Sequence, residues 1–254
     1  MNKITIIGSG SVGSTIAYTA TVMGLASEIV IIDINEEKAL GEALDIRQGI
    51  PFCNPATVYA GSYKDAVDSD IVIITSGLPR KPGQTRLDLA QNNVNVMKSI
   101  ATEIVKYAPK ATYVIVSNPV DILTYVFCKT TGIPEKRVIG SGTILDTSRL
   151  RARIAEYYSV NQKNVHAYIL GEHGDTAFVP WSIANISNVP IEDYRNAVMK
   201  SELYPEFNRD EVEDYVRKSG GRVIQRKGAT FYAVSVSVCH LCKCLLNPID
   251  TTLT

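Results

Sequence analysis

No run of the sequence is apolar over the roughly 18 residues that a membrane-crossing helix requires. The opening segment, MNKITIIGSGSVG over residues 1–13, holds an apolar run too short for a secretory leader and has no small-residue cleavage site behind it. Neither sign of charge is in excess, with Lys plus Arg at 26 and Asp plus Glu at 26, so the clustered basic surplus of a nucleic-acid-binding surface is lacking. Cysteine is sparse and odd in number, at five, which argues for free thiols and against a disulfide framework. Together these absences point to a cytoplasmic protein with neither a membrane nor a nucleic acid as partner. Internal repeats, low-complexity stretches and long linkers are also absent. Histidine occurs only three times, so each position can be weighed individually.

A chain of 254 residues has the length for one large domain or two modest ones. Its first half alternates short β-branched runs with amphipathic stretches. Strands are expected at Ile4–Ile7, Glu28–Ile32, Ile71–Thr75 and Thr112–Ser117. Helices are expected at Val12–Met23, Glu36–Gln48, Leu87–Tyr107 and Ile122–Thr131. Continuous apolar strands separated by helices imply a parallel sheet covered on both faces, the doubly wound α/β (Rossmann) arrangement. The second half reads as a mixed α+β domain. It has a helix near 145–158, a strand at Val165–Leu170, a turn at Gly171–Thr176 and helices near 210–218 and 229–246. The seam is placed at Gly140–Gly142, giving domains 1–142 and 143–254.

Gly8-Ser9-Gly10-Ser11-Val12-Gly13 follows the first strand and opens the first helix. The first glycine permits the tight turn, the second lets a pyrophosphate approach the backbone, and the third lets helix and strand pack closely. The start of that helix, at Ser11 and Val12, offers unpaired N–H groups and partial positive charge to phosphate. Asp33 ends the second strand, where a carboxylate can accept the ribose hydroxyls of adenosine. It would repel a 2′-phosphate, and no arginine stands beside it, so NAD is favoured over NADP. Cys239-His240-Leu241-Cys242-Lys243-Cys244 has the outward form of a metal site. It sits in a helical stretch in which residues 239, 242 and 244 do not share a face, and no second ligand pair has suitable spacing. We therefore read these cysteines as packing residues and expect no metal.

Four further segments bear on chemistry: TSGLPRKPGQTRLDLA (75–90), SNPVDILTY (117–125), GSGTILDTSRLR (140–151) and NVHAYILGEHGDT (164–176). In order and over nearly the whole chain they resemble the successive motifs of the L-lactate/L-malate dehydrogenase family. The resemblance implies hydride transfer between NAD and a small 2-hydroxy acid. It gives His173 the role of proton donor and, in reverse, base, which suits a group titrating near neutrality. Asp146 would orient that imidazole and stabilise its charged form. Arg149 would hold the substrate carboxylate through a two-pronged ion pair, a geometry lysine cannot supply. Arg86 would polarise the ketone oxygen as charge develops. The segment before it, with Gly77, Pro79, Pro82 and Gly83, reads as a lid. Asn118 resembles the asparagine that bonds near the nicotinamide and the substrate oxygen, and Thr230 would floor the far end of the pocket.

Two features of that resemblance pull apart. Arg80 occupies the position that selects substrate, where arginine goes with oxaloacetate and glutamine with pyruvate. A C4 diacid would pair with Arg80, whereas with pyruvate an enclosed Arg80 would be an unpaired charge costing on the order of several kcal/mol. Gln84 points the same way, since many lactate enzymes place an acid there. Against this, TILDTSRLR, VHAYILGEHGDTAFVPWS and KGATFYA look most like bacterial L-lactate dehydrogenases, and a long arginine on a lid can swing to solvent. The expectation is L-lactate/pyruvate, with L-malate/oxaloacetate as the alternative. Arg151 and His166 match the pair that binds fructose 1,6-bisphosphate between subunits in regulated bacterial lactate dehydrogenases, which implies an effector site in a homodimer or homotetramer. The resemblance would continue beyond Thr254, so the substrate domain is expected to be C-terminally truncated. That keeps open a third reading, an NAD-binding protein with little turnover.

Overall fold

A computed structural model describes residues 2–78, 86–198, 207–247 and 249–254, without the side chains of residues 86–89. Two compact units emerge. One comprises residues 1–141 and 231–251, the other residues 142–230 and 252–254.

The first unit is built on six parallel strands: β1 (Lys3–Ile7), β2 (Glu28–Ile32), β3 (Thr57–Ala60), β4 (Ile71–Ile74), β5 (Thr112–Ile115) and β6 (Val138–Gly140). Their order is β3-β2-β1-β4-β5-β6, so the chain reverses direction across the sheet between β1 and β4. In such a sheet the crevice beyond the carboxyl ends of the strands, at that reversal, is where a dinucleotide binds. Register aligns those ends: Ile7 pairs with Ile32 on one side and Ile74 on the other, and Ile74 pairs with Ile115. All four residues of β4 are buried, as expected of a strand covered on both faces.

The helices of this unit are α1 (Ser11–Val22), α2 (Glu36–Gln48), α3 (Arg86–Ile104) and α4 (Val120–Thr131), joined by α8 (Tyr232–Leu246) from much later in the chain. One core cluster joins Ile74, Ile115, Met97, Ala101, Tyr113 and Phe127 between sheet, α3 and α4. α8 packs along α1, where the Ser235 hydroxyl donates to the Phe231 carbonyl at 2.6 Å and reaches the Val12 carbonyl at 3.3 Å. Cys239 and Cys242 are fully buried on α8, where they act as small apolar groups. Among the described residues no helix is long and apolar enough to cross a membrane.

The second unit is led by α5 (Ile144–Tyr158) and α7 (Arg209–Lys227), which pack together, with α6 (Ile191–Ala197). It also carries a small antiparallel sheet of β7 (Val165–His166), β8 (Asn185–Ile186) and β9 (Val189–Pro190). Its core gathers Leu150, Ile154 and Tyr158 from α5 with Val165, Ala167, Ile169, Val212 and Val216. The strand expected over Val165–Leu170 pairs only at its first two residues, and Leu170 then bridges to Phe178. Backbone groups between them are satisfied differently: the Ile169 N–H donates to Thr147 Oγ1 at 2.8 Å, and Thr143 Oγ1 donates to the Ile169 carbonyl at 2.7 Å. α7 runs well past the expected 210–218, carrying Gly220 and Gly221 in its interior.

Candidate active site

In the first unit the glycine turn is shaped by close approach. Gly8 has φ +109°, and a β-carbon there would lie 2.7 Å from Thr75 Oγ1 and 2.9 Å from the Ser76 nitrogen. A β-carbon on Gly13 would lie 1.8 Å from the Gly8 carbonyl oxygen. Gly10 differs: a β-carbon there would meet nothing within 4 Å. That open volume lies beside the first turn of α1, where no side chain caps the helix and no acid competes for its N–H groups. A diphosphate fits such a cradle, negative charge against the positive end of the helix. Thr75 closes the turn from behind, donating to the Gly8 carbonyl at 3.0 Å.

Asp33 is fixed at the end of β2. Its Oδ2 accepts from the Ser9 N–H at 2.6 Å and the Ser9 hydroxyl at 3.0 Å, and its Oδ1 accepts from the Asn35 N–H at 2.9 Å. Burial pushes this carboxyl upward, but the donors from Asn35 and Ser9 outweigh it and hold it below the usual aspartate value. An acceptor held in its charged form to lower pH than an ordinary aspartate, beside the glycine turn, fits the ribose of a bound dinucleotide. Asn118 follows β5 with its side chain exposed, while its backbone carbonyl accepts from Asn93 Nδ2 at 2.8 Å.

In the second unit, Asp146 and Arg149 lie one turn apart near the start of α5. Asp146 Oδ2 receives the His173 Nδ1–H at 2.5 Å, and Asp146 Oδ1 receives Arg149 Nη1–H at 2.9 Å. One carboxylate thus joins the imidazole and the guanidinium, and it is 14 % exposed against 32 % for His173. Thr143 and Thr147 explain how a turn 27 residues downstream reaches α5, because they anchor Ile169 to the first turn of that helix. Gly171, at φ +98°, then turns the chain so that His173 faces it. Gly220 of α7 lies alongside, and a β-carbon there would be 3.6 Å from Arg149 Nη2.

Thr230 follows the C-terminus of α7 and is half-buried. Arg151 Nε donates to the carbonyl of Val165 at 2.6 Å, and His166, the next residue in the chain, is exposed. Arg80 and Gln84 lie outside the described residues. Arg86 opens α3, and its side chain is likewise outside them. Sequence reasoning passed over Thr75, Ser117, Ser235 and Asn93. Thr75 had a signal, since it directly follows a strand beside the glycine turn. Asn93 had none: it is one asparagine among three in the helical run Gln91-Asn92-Asn93-Val94-Asn95.

Comparison with known proteins identifies the family of both units. The lactate/malate dehydrogenase NAD-binding domain matches residues 2–140, and the alpha/beta C-terminal domain of the same family matches residues 143–254. The chain is 46% identical over 254 residues to an L-lactate dehydrogenase of Thermoanaerobacterium saccharolyticum, all of this chain aligning with 81% of that protein. Among solved structures it resembles the minor L-lactate dehydrogenase of Enterococcus mundtii (TM-score 0.91, 40% identity, 97% of this chain and 78% of the other). It also resembles the malate dehydrogenase of Picrophilus torridus (TM-score 0.86, 33% identity, 96% of this chain and 76% of the other). With a glycine cradle and anchored aspartate in one unit and a linked histidine, aspartate and arginine in the other, the chain belongs to the lactate/malate dehydrogenase family, as an NAD-dependent 2-hydroxy-acid oxidoreductase.

Proposed function

We propose that this protein interconverts pyruvate and L-lactate, with residues 1–142 holding NAD and residues 143–254 holding the substrate. The observation that carries the reading is the double grip of Asp146 on His173 and Arg149. NAD, when bound, supplies the hydride acceptor or, reduced, the hydride donor. Gly8, Gly10, Ser11, Val12 and Gly13 would seat its diphosphate, Asp33 its adenosine ribose, and Asn118 its nicotinamide end. Arg149 uses one of its five N–H donors on Asp146 and keeps a fork for the substrate carboxylate. With Nδ1 turned to Asp146, His173 delivers its proton from Nε2 to the carbonyl oxygen, and Asp146 stabilises the imidazolium before transfer. Arg86 would polarise the same oxygen, and Thr230 would bound the pocket.

Identity to L-lactate dehydrogenases supports pyruvate as the oxo acid. Arg80 favours a second reading, oxaloacetate and L-malate, because only a diacid would neutralise it in a closed pocket. Steady-state rates with both oxo acids, for the parent and for Arg80→Gln, separate the two. The lactate reading fails if the parent strongly prefers oxaloacetate and Arg80→Gln reverses that preference. A parent that binds NADH and reduces neither acid would instead be a nucleotide-binding protein. Arg151 and His166 support fructose 1,6-bisphosphate as an effector between subunits of a homodimer or homotetramer. Activation and a rise in sedimentation coefficient on adding it, both lost in Arg151→Gln, are the expected result.

A further inference from the structure

Two loops leave the carboxyl ends of neighbouring strands: residues 75–78 after β4, which borders the reversal, and residues 116–118 after β5. Both are tied to each other, chiefly by one side chain. Asn93, in the middle of α3, is 4% exposed. Its Oδ1 accepts from the Leu78 N–H at 2.8 Å, and its Nδ2 donates to the Asn118 carbonyl at 2.8 Å, lying also 3.5 Å from the Leu78 carbonyl. It packs against Gly77, where a β-carbon would stand 3.5 Å from both ends of the amide. Ser117 reinforces the link by donating to the Ser76 carbonyl at 2.6 Å.

The chemistry of this position is narrow. One planar group must accept from one backbone and donate to another, and the side chain that does so is itself buried. A carboxylate cannot donate, an aliphatic side chain can do neither, and glutamine carries its amide one methylene too far. A buried asparagine is the residue that meets both demands at this distance.

We propose that Asn93 is a positioning residue for the hydride-transfer end of the site. It fixes the backbone of Asn118, and so the direction of the Asn118 side chain, in register with Leu78 where the loop after β4 leads onward. The inference rests on the proposed role of Asn118 at the nicotinamide. It separates Asn93 from the adenosine end, which Gly8, Gly10, Gly13 and Asp33 hold without it.

The test compares the parent with Asn93→Asp and Asn93→Ala, using ADP-ribose and NADH as binding probes and the better oxo acid as substrate. ADP-ribose should bind all three proteins within about twofold, while NADH affinity and kcat/KM fall about 10- to 100-fold in both variants at a pH near 8, the effect of unmet buried hydrogen bonds. A buried carboxyl at residue 93 titrates above its usual range, and once protonated its O–H can donate to the Asn118 carbonyl again. The ratio of Asn93→Asp to parent activity should therefore recover as the pH is lowered toward about 5.5, and that of Asn93→Ala should not. The contacts of Asn93 named above, Gly77, Leu78 and Asn118, bring no titratable side chain, so this step belongs to the introduced acid. If ADP-ribose affinity falls in step with NADH affinity, or if the two variants share one pH profile, the proposal is overturned. Should Asn93→Asp fail to fold, Asn93→Ala, which buries no charge, decides through the affinity comparison. A parent that reduces no oxo acid would refute the dehydrogenase reading alone, because the ratio of NADH to ADP-ribose affinity still tests Asn93.

Discussion

A β-carbon on Gly13 would lie 1.8 Å from the carbonyl oxygen of Gly8, far inside any tolerable contact, whereas one on Gly10 would meet nothing within 4 Å. Two glycines of one turn therefore have different reasons for being there. Gly13 serves the fold, since the helix cannot approach the strand otherwise. At Gly10 the protein itself leaves the space open, which suits the diphosphate proposed to lie there.

The contrast predicts two distinct phenotypes. Gly13→Ala must move backbone against backbone, and it should destabilise the first unit by about 1–3 kcal/mol or more. Gly10 has φ −67° and ψ 179°, which alanine adopts without strain. Gly10→Ala should keep the parent melting temperature yet weaken NADH binding at least about tenfold, or about 1.4 kcal/mol. Thermal melts and NADH titrations of both variants check this. A destabilised Gly10→Ala, or a Gly13→Ala of parent stability, would contradict the assignment.

Asp146 offers a second test because it holds two groups at once. Asp146→Asn keeps the shape but can no longer supply two charged acceptors to His173 and Arg149. The imidazole then loses the partner that fixes its tautomer and stabilises its proton. We expect kcat to fall about 10²- to 10⁴-fold, with a higher KM for the oxo acid as Arg149 loses its anchor. NADH affinity should stay at the parent value, since the residues proposed to hold its diphosphate and ribose belong to the first unit. Steady-state kinetics beside NADH titration reads both. A kcat close to that of the parent would remove Asp146 from the reaction.

The parts of this architecture that were legible in the sequence are those where one physical demand dominates. β1, β2, β4 and β5 stand in the interior of the sheet or next to it, and their continuous apolar runs show it. β3 and β6 escaped because they are the sheet's two edges, where burial is partial: only Val58 of β3 is fully buried, and β6 has three residues. α7 looked shorter than it is because Gly220 and Gly221 interrupt its pattern. Gly13, Asp33, Asp146 and His173 stood out as candidates because their chemistry admits few substitutes in a recognisable order, and the structure sets Asp146 against His173 and Asp33 beside the glycine turn. Asn93 did not, because what selects it is the simultaneous position of two loops 15 and 25 residues away.

The cysteines of α8 make a third prediction. Burial pushes the Cys239 thiol up to about 12 and Cys242 further still. The nucleophile is the thiolate, whose fraction at a pH near 8 would be about 10⁻⁴ for such a thiol. Cys53, Cys128 and Cys244 are only half-buried. Native protein should react with iodoacetamide at no more than three of its five cysteines, with Cys239 and Cys242 labelled only after denaturation. Both thiols stay protonated in the fold above the value they have unfolded. Their contribution to stability is thus full at neutral pH and is lost as the pH rises above the unfolded thiol value and on through the folded one. Peptide mapping of native and denatured samples decides it, and rapid native labelling at Cys242 would show that α8 does not bury it.

Asp33 supplies the last prediction, in which pH and cofactor choice are joined. Its carboxyl is held below the usual aspartate value because the Asn35 and Ser9 donors outweigh the effect of burial. A depressed folded value means that the charged form persists as pH falls through the ordinary carboxylate range. Stability from this group is present above the unfolded value and is lost only as the pH drops through the folded one. NADH affinity should therefore stay flat from neutrality down through that range, as far as the fold survives. The same charge repels a 2′-phosphate. In Asp33→Asn the acceptors weaken and the repulsion disappears, so NADH affinity should fall while NADPH affinity rises, shifting their ratio by at least about tenfold. Parallel titrations with both nucleotides measure that ratio. Equal losses for NADH and NADPH would mean that Asp33 braces the Ser9 turn and does not read the ribose.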